Sequence, residues 1–114
     1  MTQNEKRATP RIPVTLTGHC RIGHRFVREP IADLSLGGLY LRTRESVTAG
    51  LPVRVALALP WNDGPRYCTL VGSVARVERD PRGVLRGIGV CFTRDEIAGA
   101  DRDTLQSFLS SQCR

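Results

Sequence analysis

Apolar and polar residues alternate along several short segments of this chain, and this alternation constrains the fold more than any other feature. In segment 53–59 every second residue is valine or leucine, and arginine and alanine lie between them. Such alternation puts the apolar side chains on one face of an extended strand. Similar segments occur at residues 13–22, 26–34, 39–43, 68–78 and 86–92. The pattern predicts six short strands joined by turns.

Only the end of the chain has helical spacing. Leu105, Phe108 and Leu109 recur at intervals that are typical of a helix with one buried face. Asp101 is placed to cap this helix, and residues 93–96 fit a capping box. A chain of 114 residues suits one domain. The sequence therefore predicts an all-β fold with a C-terminal helix: a small six-stranded antiparallel β-barrel with the helix against one open end.

Residues 33–38, which we call the ledge, combine small polar side chains with a glycine pair. Asp33 and Ser35 are two positions apart, so strand alternation predicts that they share one face while Leu34 points into the core. The glycine pair allows the backbone to turn with positive φ, and Gly38 has no Cβ to block the approach of another molecule. An Asx-turn followed by a bend is an alternative interpretation of the same stretch.

Two arginines lie upstream of the ledge. Arg7 and Arg11 are four residues apart, and Pro10 between them disfavours a helix. In an extended arm both guanidinium groups fall on one face, about 13 Å apart. A guanine offers paired acceptors to an arginine fork and paired donors to a carboxylate such as Asp33. Phosphates accept the remaining arginine hydrogen bonds. The two segments together predict a site for a nucleotide.

The N-terminal segment differs in composition from the rest of the chain. We interpret residues 1–12 as a flexible N-terminal arm, because they contain few apolar side chains, and residues 13–114 as the barrel domain with its helix. The net charge is +6, and residues 1–30 hold six lysines and arginines against two glutamates. An anionic ligand is therefore expected to approach this part of the molecule.

The order of these motifs resembles that of the PilZ domain, the bacterial receptor module for cyclic di-GMP. R-x-x-x-R at residues 7–11, D-x-S-x-x-G at residues 33–38 and G-I-G-V-C-F at residues 87–92 are the basis of the resemblance. It implies a single-domain PilZ protein that binds cyclic di-GMP, with no cofactor. The residues that match the family's binding motifs are Arg7, Arg11, Asp33, Ser35 and Gly38.

The resemblance also implies a mechanism. Cyclic di-GMP would order the arginine arm on the barrel and so change how the protein interacts with a protein partner. Lys6, rather than a third arginine, precedes the arginine motif. Binding of one nucleotide and binding of a stacked pair therefore both stay open.

Neither catalysis nor metal binding is predicted. Ser35, Asp33 and the two histidines lack the arrangement of a catalytic triad. The four cysteines are far apart and have no metal-ligand spacing. No apolar run is long enough to span a bilayer, and the first residues are polar. We expect a cytoplasmic protein without membrane insertion.

Two other functions stay open at this point. The first is a PilZ-type adaptor that contacts a protein partner and binds nucleotide weakly or not at all. The second is a small β-barrel that binds nucleic acid through its basic surface. Only six residues are aromatic, and several of them suit a core or a turn better than an exposed stacking surface. A nucleic-acid partner is therefore not expected.

Overall fold

The computed structural model describes residues 11–112, so Arg7, Cys113 and most of the predicted arm lie outside the described residues. The strands in this range are β1 (Ile12–Ile22), β2 (Arg25–Leu34), β3 (Gly38–Leu41), β4 (Pro52–Leu59), β5 (Arg66–Arg79) and β6 (Leu85–Phe92). Antiparallel pairing closes them into a barrel in the order β1-β2-β3-β6-β5-β4. The predicted six-stranded barrel is confirmed.

The barrel core consists of the alternate apolar residues that the sequence pattern indicated. In β4 all four of these residues are no more than 3% exposed: Val53, Val55, Leu57 and Leu59. Full burial of each such side chain stabilises the fold by about 1.5–3 kcal/mol. The residues between them are exposed or half-buried. One face of each strand therefore fills the barrel, and the other remains for contacts with other molecules.

A single α-helix follows the barrel in the described part of the chain. This helix, α1, spans Gly99–Gln112 and buries Leu105, Phe108 and Leu109. Its Phe108 ring lies 6.0 Å from the ring of Trp61, and α1 packs against β5. The predicted C-terminal helix and its apolar face are confirmed. Within residues 11–112, no helix has the length and apolar composition that crossing a bilayer requires.

The two capping predictions are wrong. Thr93 makes no side-chain cap hydrogen bond, and the chain after it forms only a single 3-10 turn, Arg94–Glu96. Asp101 lies inside the first turn of α1 instead of capping it, because the helix already begins at Gly99. A carboxylate in this turn still interacts favourably with the positive end of the helix dipole.

Three β-bulges lie close to one another in the barrel. An extra residue is present in β1 after Pro13, in β2 before Asp33 and in β5 before Arg76. A bulge shifts the side-chain alternation by one position, so residues that would have faced inward face outward. A fourth register shift leaves Arg86 as an extra residue in β6. These irregularities together determine which side chains reach the outer surface on one side of the barrel.

Candidate functional site

A cleft of about 470 Å³ opens on the outer surface of the barrel beside β3 and β6. Its charged lining residues are Arg11, Asp33, Arg42, Arg76, Glu78 and Arg86. The cleft therefore combines four guanidinium groups with two carboxylates. Such a set suits a ligand that has both negative charge and hydrogen-bond donors of its own.

Asp33 reaches the cleft because of the bulge in β2. Phe26 and Arg28 face outward earlier in this strand, so uninterrupted alternation would turn Asp33 inward. The extra residue, Ala32, changes this alternation. As a result Asp33 is half-buried in the cleft lining, while Leu34 is fully buried in the core. The prediction that Leu34 points into the core is confirmed.

Arg11 lies at the same site because β1 starts beside the end of β2. Ile12 is paired with Leu34, and Pro13 is paired with Asp33. The exposed Arg11 therefore leaves β1 next to the ledge and lines the same cleft as Asp33. The structure brings these two predicted site residues together. The other arginine of the motif, Arg7, lies outside the described residues.

Ser35 occupies a different environment from Asp33. Its side chain is only 5% exposed and is absent from the cleft lining. The Ser35 Oγ accepts hydrogen bonds from the backbone N–H groups of Gly37 and Gly38, at 3.2 and 3.1 Å, and donates to the Gly38 carbonyl at 3.2 Å. These bonds use the hydroxyl's one donor and its two acceptor positions. The prediction that Ser35 shares a face with Asp33 is therefore wrong.

Gly38 begins β3 and lies against β6. A Cβ atom at this position would be 2.1 Å from the carbonyl oxygen of Val90, far inside normal contact distance. Gly38 does not have a positive φ, so the predicted left-handed turn is wrong at this residue. Glycine is required here because two backbones approach each other closely. Together Ser35 and Gly38 hold the turn that follows Asp33.

Tyr40 and Glu78 form a hydrogen-bonded pair in the cleft, and the sequence analysis did not identify either of them. The Tyr40 hydroxyl donates to the Glu78 Oε1 at 2.5 Å. Burial, together with the Glu78 carboxylate, raises the pKa of Tyr40. Tyr40 therefore stays protonated at neutral pH and continues to donate this bond. The pair leaves Glu78 with further acceptor capacity in the cleft.

The glycines of β6 make room for side chains of the neighbouring strands. A Cβ atom on Gly87 would lie 2.4 Å from the Tyr40 hydroxyl oxygen, and one on Gly89 would lie 3.0 Å from the Arg76 Nε. Tyr40 and Arg76 therefore lie across the bare outer face of β6.

The cleft arginines have no ion-pair partner among the described residues. Within residues 11–112, none of the four forms an ion pair within 4 Å. In contrast, Arg25 is paired with Glu45, and Arg66 with Asp63. Unpaired guanidinium groups raise the local positive potential and keep their hydrogen-bond donors free for an anion.

The three cysteines within residues 11–112 do not line the cleft. Burial raises the pKa of Cys20 to about 11 and that of Cys68 to about 12, so both stay protonated thiols at neutral pH. Cys91 is exposed. In the part of the chain that the structure describes, no cluster of His, Cys, Asp and Glu residues is arranged to hold a metal ion.

Comparisons with known proteins agree with this architecture. The family model of the PilZ domain matches residues 5–111. A search of curated proteins gave no significant match.

Two solved structures have similar folds. The Bacillus subtilis inhibitor of motility, MotI/DgrA, has a TM-score of 0.79 and 21% sequence identity, and the match covers 93% of this chain and 50% of MotI/DgrA. This chain thus spans about half the length of that protein. The PilZ domain of Escherichia coli YcgR with c-di-GMP has a TM-score of 0.64 and 16% identity, over 93% of this chain and 90% of that one. At these identities the likeness shows a shared fold.

Proposed function

This chain belongs to the PilZ domain family, and we propose that it is a receptor that binds cyclic di-GMP in the cleft. The main observation in favour is that Arg11 and Asp33, from two separate sequence motifs, line one cleft with three further arginines. The similar YcgR domain was solved with c-di-GMP, which supports the same ligand for this fold. The proposed chemistry is recognition, and no bond is made or broken.

Each part of the ligand has a complementary group in the cleft. The Asp33 carboxylate accepts two hydrogen bonds from the N1 and N2 groups of a guanine, and an arginine fork donates to O6 and N7. The remaining guanidinium groups bind the two phosphates. Arg11 and Arg76 approach the cleft from β1 and β5. A ligand between them would be held from two sides.

The other residues of the predicted site act at its border in this proposal. Arg7 adds a second guanidinium group from the N-terminal arm. Ser35 and Gly38 contribute indirectly, because they hold the turn that carries Asp33. Nucleotide binding orders the arm and so changes the surface that a protein partner contacts.

Ordering the arm has an entropic cost of about 1–2 kcal/mol for each residue that becomes fixed. A charge-assisted hydrogen bond contributes about 1.5–3 kcal/mol, so several must form together to offset that cost. Both arginines of the motif are therefore needed in this mechanism. Amide exchange in residues 1–11 and 33–38 should slow when cyclic di-GMP is added, whereas exchange in β4 should not change.

Titration calorimetry tests the proposal directly, with GTP and a short oligonucleotide as competing ligands. We expect saturable binding of cyclic di-GMP alone. Arg11→Ala should weaken it by roughly 10-fold to 150-fold, the equivalent of one charge-assisted contact. Arg102→Ala, an exposed arginine on α1, is the control and should have no effect. Absence of nucleotide binding would instead favour a PilZ-type adaptor, and binding of the oligonucleotide would favour the nucleic-acid function.

A further inference from the structure

A second group of basic residues lies on the other side of the barrel from the cleft. In the barrel order, β1 and β4 are adjacent to each other and opposite to β3 and β6. A groove of about 600 Å³ runs over the outer surface of β2, β1 and β4 to the edge of β5. Its basic lining residues are His19, Arg21, Arg28 and Arg54. We call this surface the basic face.

The basic face places like charges opposite each other. Arg21 is in register with Arg54 on β4, so two guanidinium groups are directly opposed, and Arg28 lies one strand away on β2. Like charges at directly opposed positions of a sheet destabilise the fold. Within residues 11–112, no carboxylate lines this groove, and Arg21, Arg28 and Arg54 form no ion pair within 4 Å. Arg21 and Arg54 also line a neighbouring hollow together with Glu96, which forms no ion pair with either of them within 4 Å. An arrangement that costs stability in the free protein gains stability when an anionic partner binds.

The basic face also has an exposed aromatic side chain at its border. Phe26 is 80% exposed, and the Arg21 guanidinium carbon lies 5.8 Å from the centre of its ring. The floor of the groove between the basic residues includes Ala56 and Thr69, whose small side chains leave space for a partner. A single exposed phenylalanine is common on protein surfaces, but aromatic residues together with arginines are enriched in protein–protein interfaces.

We propose that the basic face docks an acidic segment of a partner protein. Carboxylates of this segment pair with Arg28 and Arg54, and one of its apolar side chains packs on Phe26. The inference identifies the partner surface of the proposed receptor. It depends on residues outside the cleft, so it can fail separately from nucleotide binding.

The spacing of the aromatic residues favours a protein over a nucleic acid. Tyr67, which is 74% exposed, is the other large aromatic side chain on this side of the barrel. It lies on β5 and Phe26 lies on β2, so three strand spacings, about 14 Å, separate them across the sheet. The register also offsets them by four residues, about 13 Å, along the strands. Successive bases stack on aromatic side chains that are much closer together.

The test uses a short fluorescent peptide of alternating glutamate and leucine, measured by anisotropy at low salt. We expect binding to the wild-type protein. The triple variant Phe26→Ser, Arg28→Gln, Arg54→Gln should bind at least about tenfold more weakly. All three side chains are exposed, so the fold should persist in circular dichroism. The single variant Phe26→Ser should show part of the same loss.

The control variant carries Arg82→Gln and Val84→Ser, which are exposed residues of the β5–β6 hairpin. It should bind the peptide as the wild type does. Equal peptide affinity in the triple and control variants would overturn the inference. So would absence of peptide binding, or tighter binding of a poly-dT oligonucleotide or of phosphatidylglycerol vesicles. Cyclic di-GMP titration of the same variants separates the two proposals, because loss of nucleotide binding concerns the cleft alone.

Discussion

The cleft and the basic face lie on opposite sides of one barrel and present similar numbers of basic groups, but their surroundings differ. In the cleft, Asp33 and Glu78 lie among the arginines, and register shifts in β1, β2, β5 and β6 determine which side chains face outward. On the basic face, the β1–β4 and β4–β5 pairings have no register shift, and no carboxylate of the described residues lines the groove. Positive charge alone attracts anions in general. Selecting one ligand also requires acceptors placed among the donors.

The largest expected effect concerns the backbone beside the cleft. Gly38→Ala would place a Cβ atom 2.1 Å from the Val90 carbonyl oxygen, so β3 and β6 must separate. We expect a loss of about 3 kcal/mol or more in the free energy of unfolding, measured with urea. Gly99→Ala adds the same methyl group where no heavy atom lies within 4 Å, and it should not lower stability. Equal stability of the two variants would mean that the β3–β6 contact tolerates a side chain.

The next largest effect distinguishes selective binding from simple charge attraction. Asp33→Asn removes a negative charge from the cleft, so electrostatics alone predicts tighter binding of an anionic nucleotide. Readout of a guanine edge predicts weaker binding of cyclic di-GMP by about 1–3 kcal/mol, because an amide has only one acceptor oxygen. Calorimetry decides the sign. Asp95→Asn, an exposed position outside the cleft, is the matched control. Tighter binding by Asp33→Asn would remove Asp33 from the guanine contact.

A smaller effect on cyclic di-GMP binding is expected from Arg76, whose side chain lies across the outer face of β6. Arg76→Gln should weaken cyclic di-GMP binding by about tenfold, the loss of one charged contact. Gly89→Ala keeps the guanidinium group but crowds the Arg76 side chain, because its Cβ atom would lie 3.0 Å from the Nε. It should give a smaller loss in the same titration. Arg82→Gln removes equal charge from the hairpin. If it weakened binding as much as Arg76→Gln, only the net charge would matter.

The smallest effect concerns the buried thiols, which belong to neither surface. Burial raises the pKa of Cys20 from 9.0 to about 11. In the unfolded chain this thiol ionises near pH 9, whereas in the folded protein it keeps its proton. Its contribution to stability is therefore complete below pH 9 and is lost as the pH rises from 9 to about 11. Urea unfolding at several alkaline pH values should show a shallower decline for Cys20→Val. An identical decline would mean that the thiol does not contribute.

The sequence predicted the barrel well because burial requires the alternation that defines each strand. It predicted the site less completely, because bulges are local and interrupt the alternation. A signal was nonetheless present: Ile31 and Leu34, like Val74 and Val77, are three residues apart instead of two. In each case the spacing indicates one extra residue: the first bulge turns Asp33 outward, and the second turns Arg76 outward. Ser35 was misplaced for another reason, since its hydroxyl can bond either a ligand or its own turn.

The bulge in β5 has a consequence for how this surface can change in evolution. Odd-numbered residues such as Tyr67 and Thr69 face outward before the bulge, and even-numbered residues such as Arg76 and Glu78 face outward after it. Substitutions can therefore modify the basic face and the cleft separately. Deletion of the single codon for Ala75 would place Arg76 directly after the inward-facing Val74, so Arg76 and Glu78 would keep facing outward and β5 would lose only its bulge.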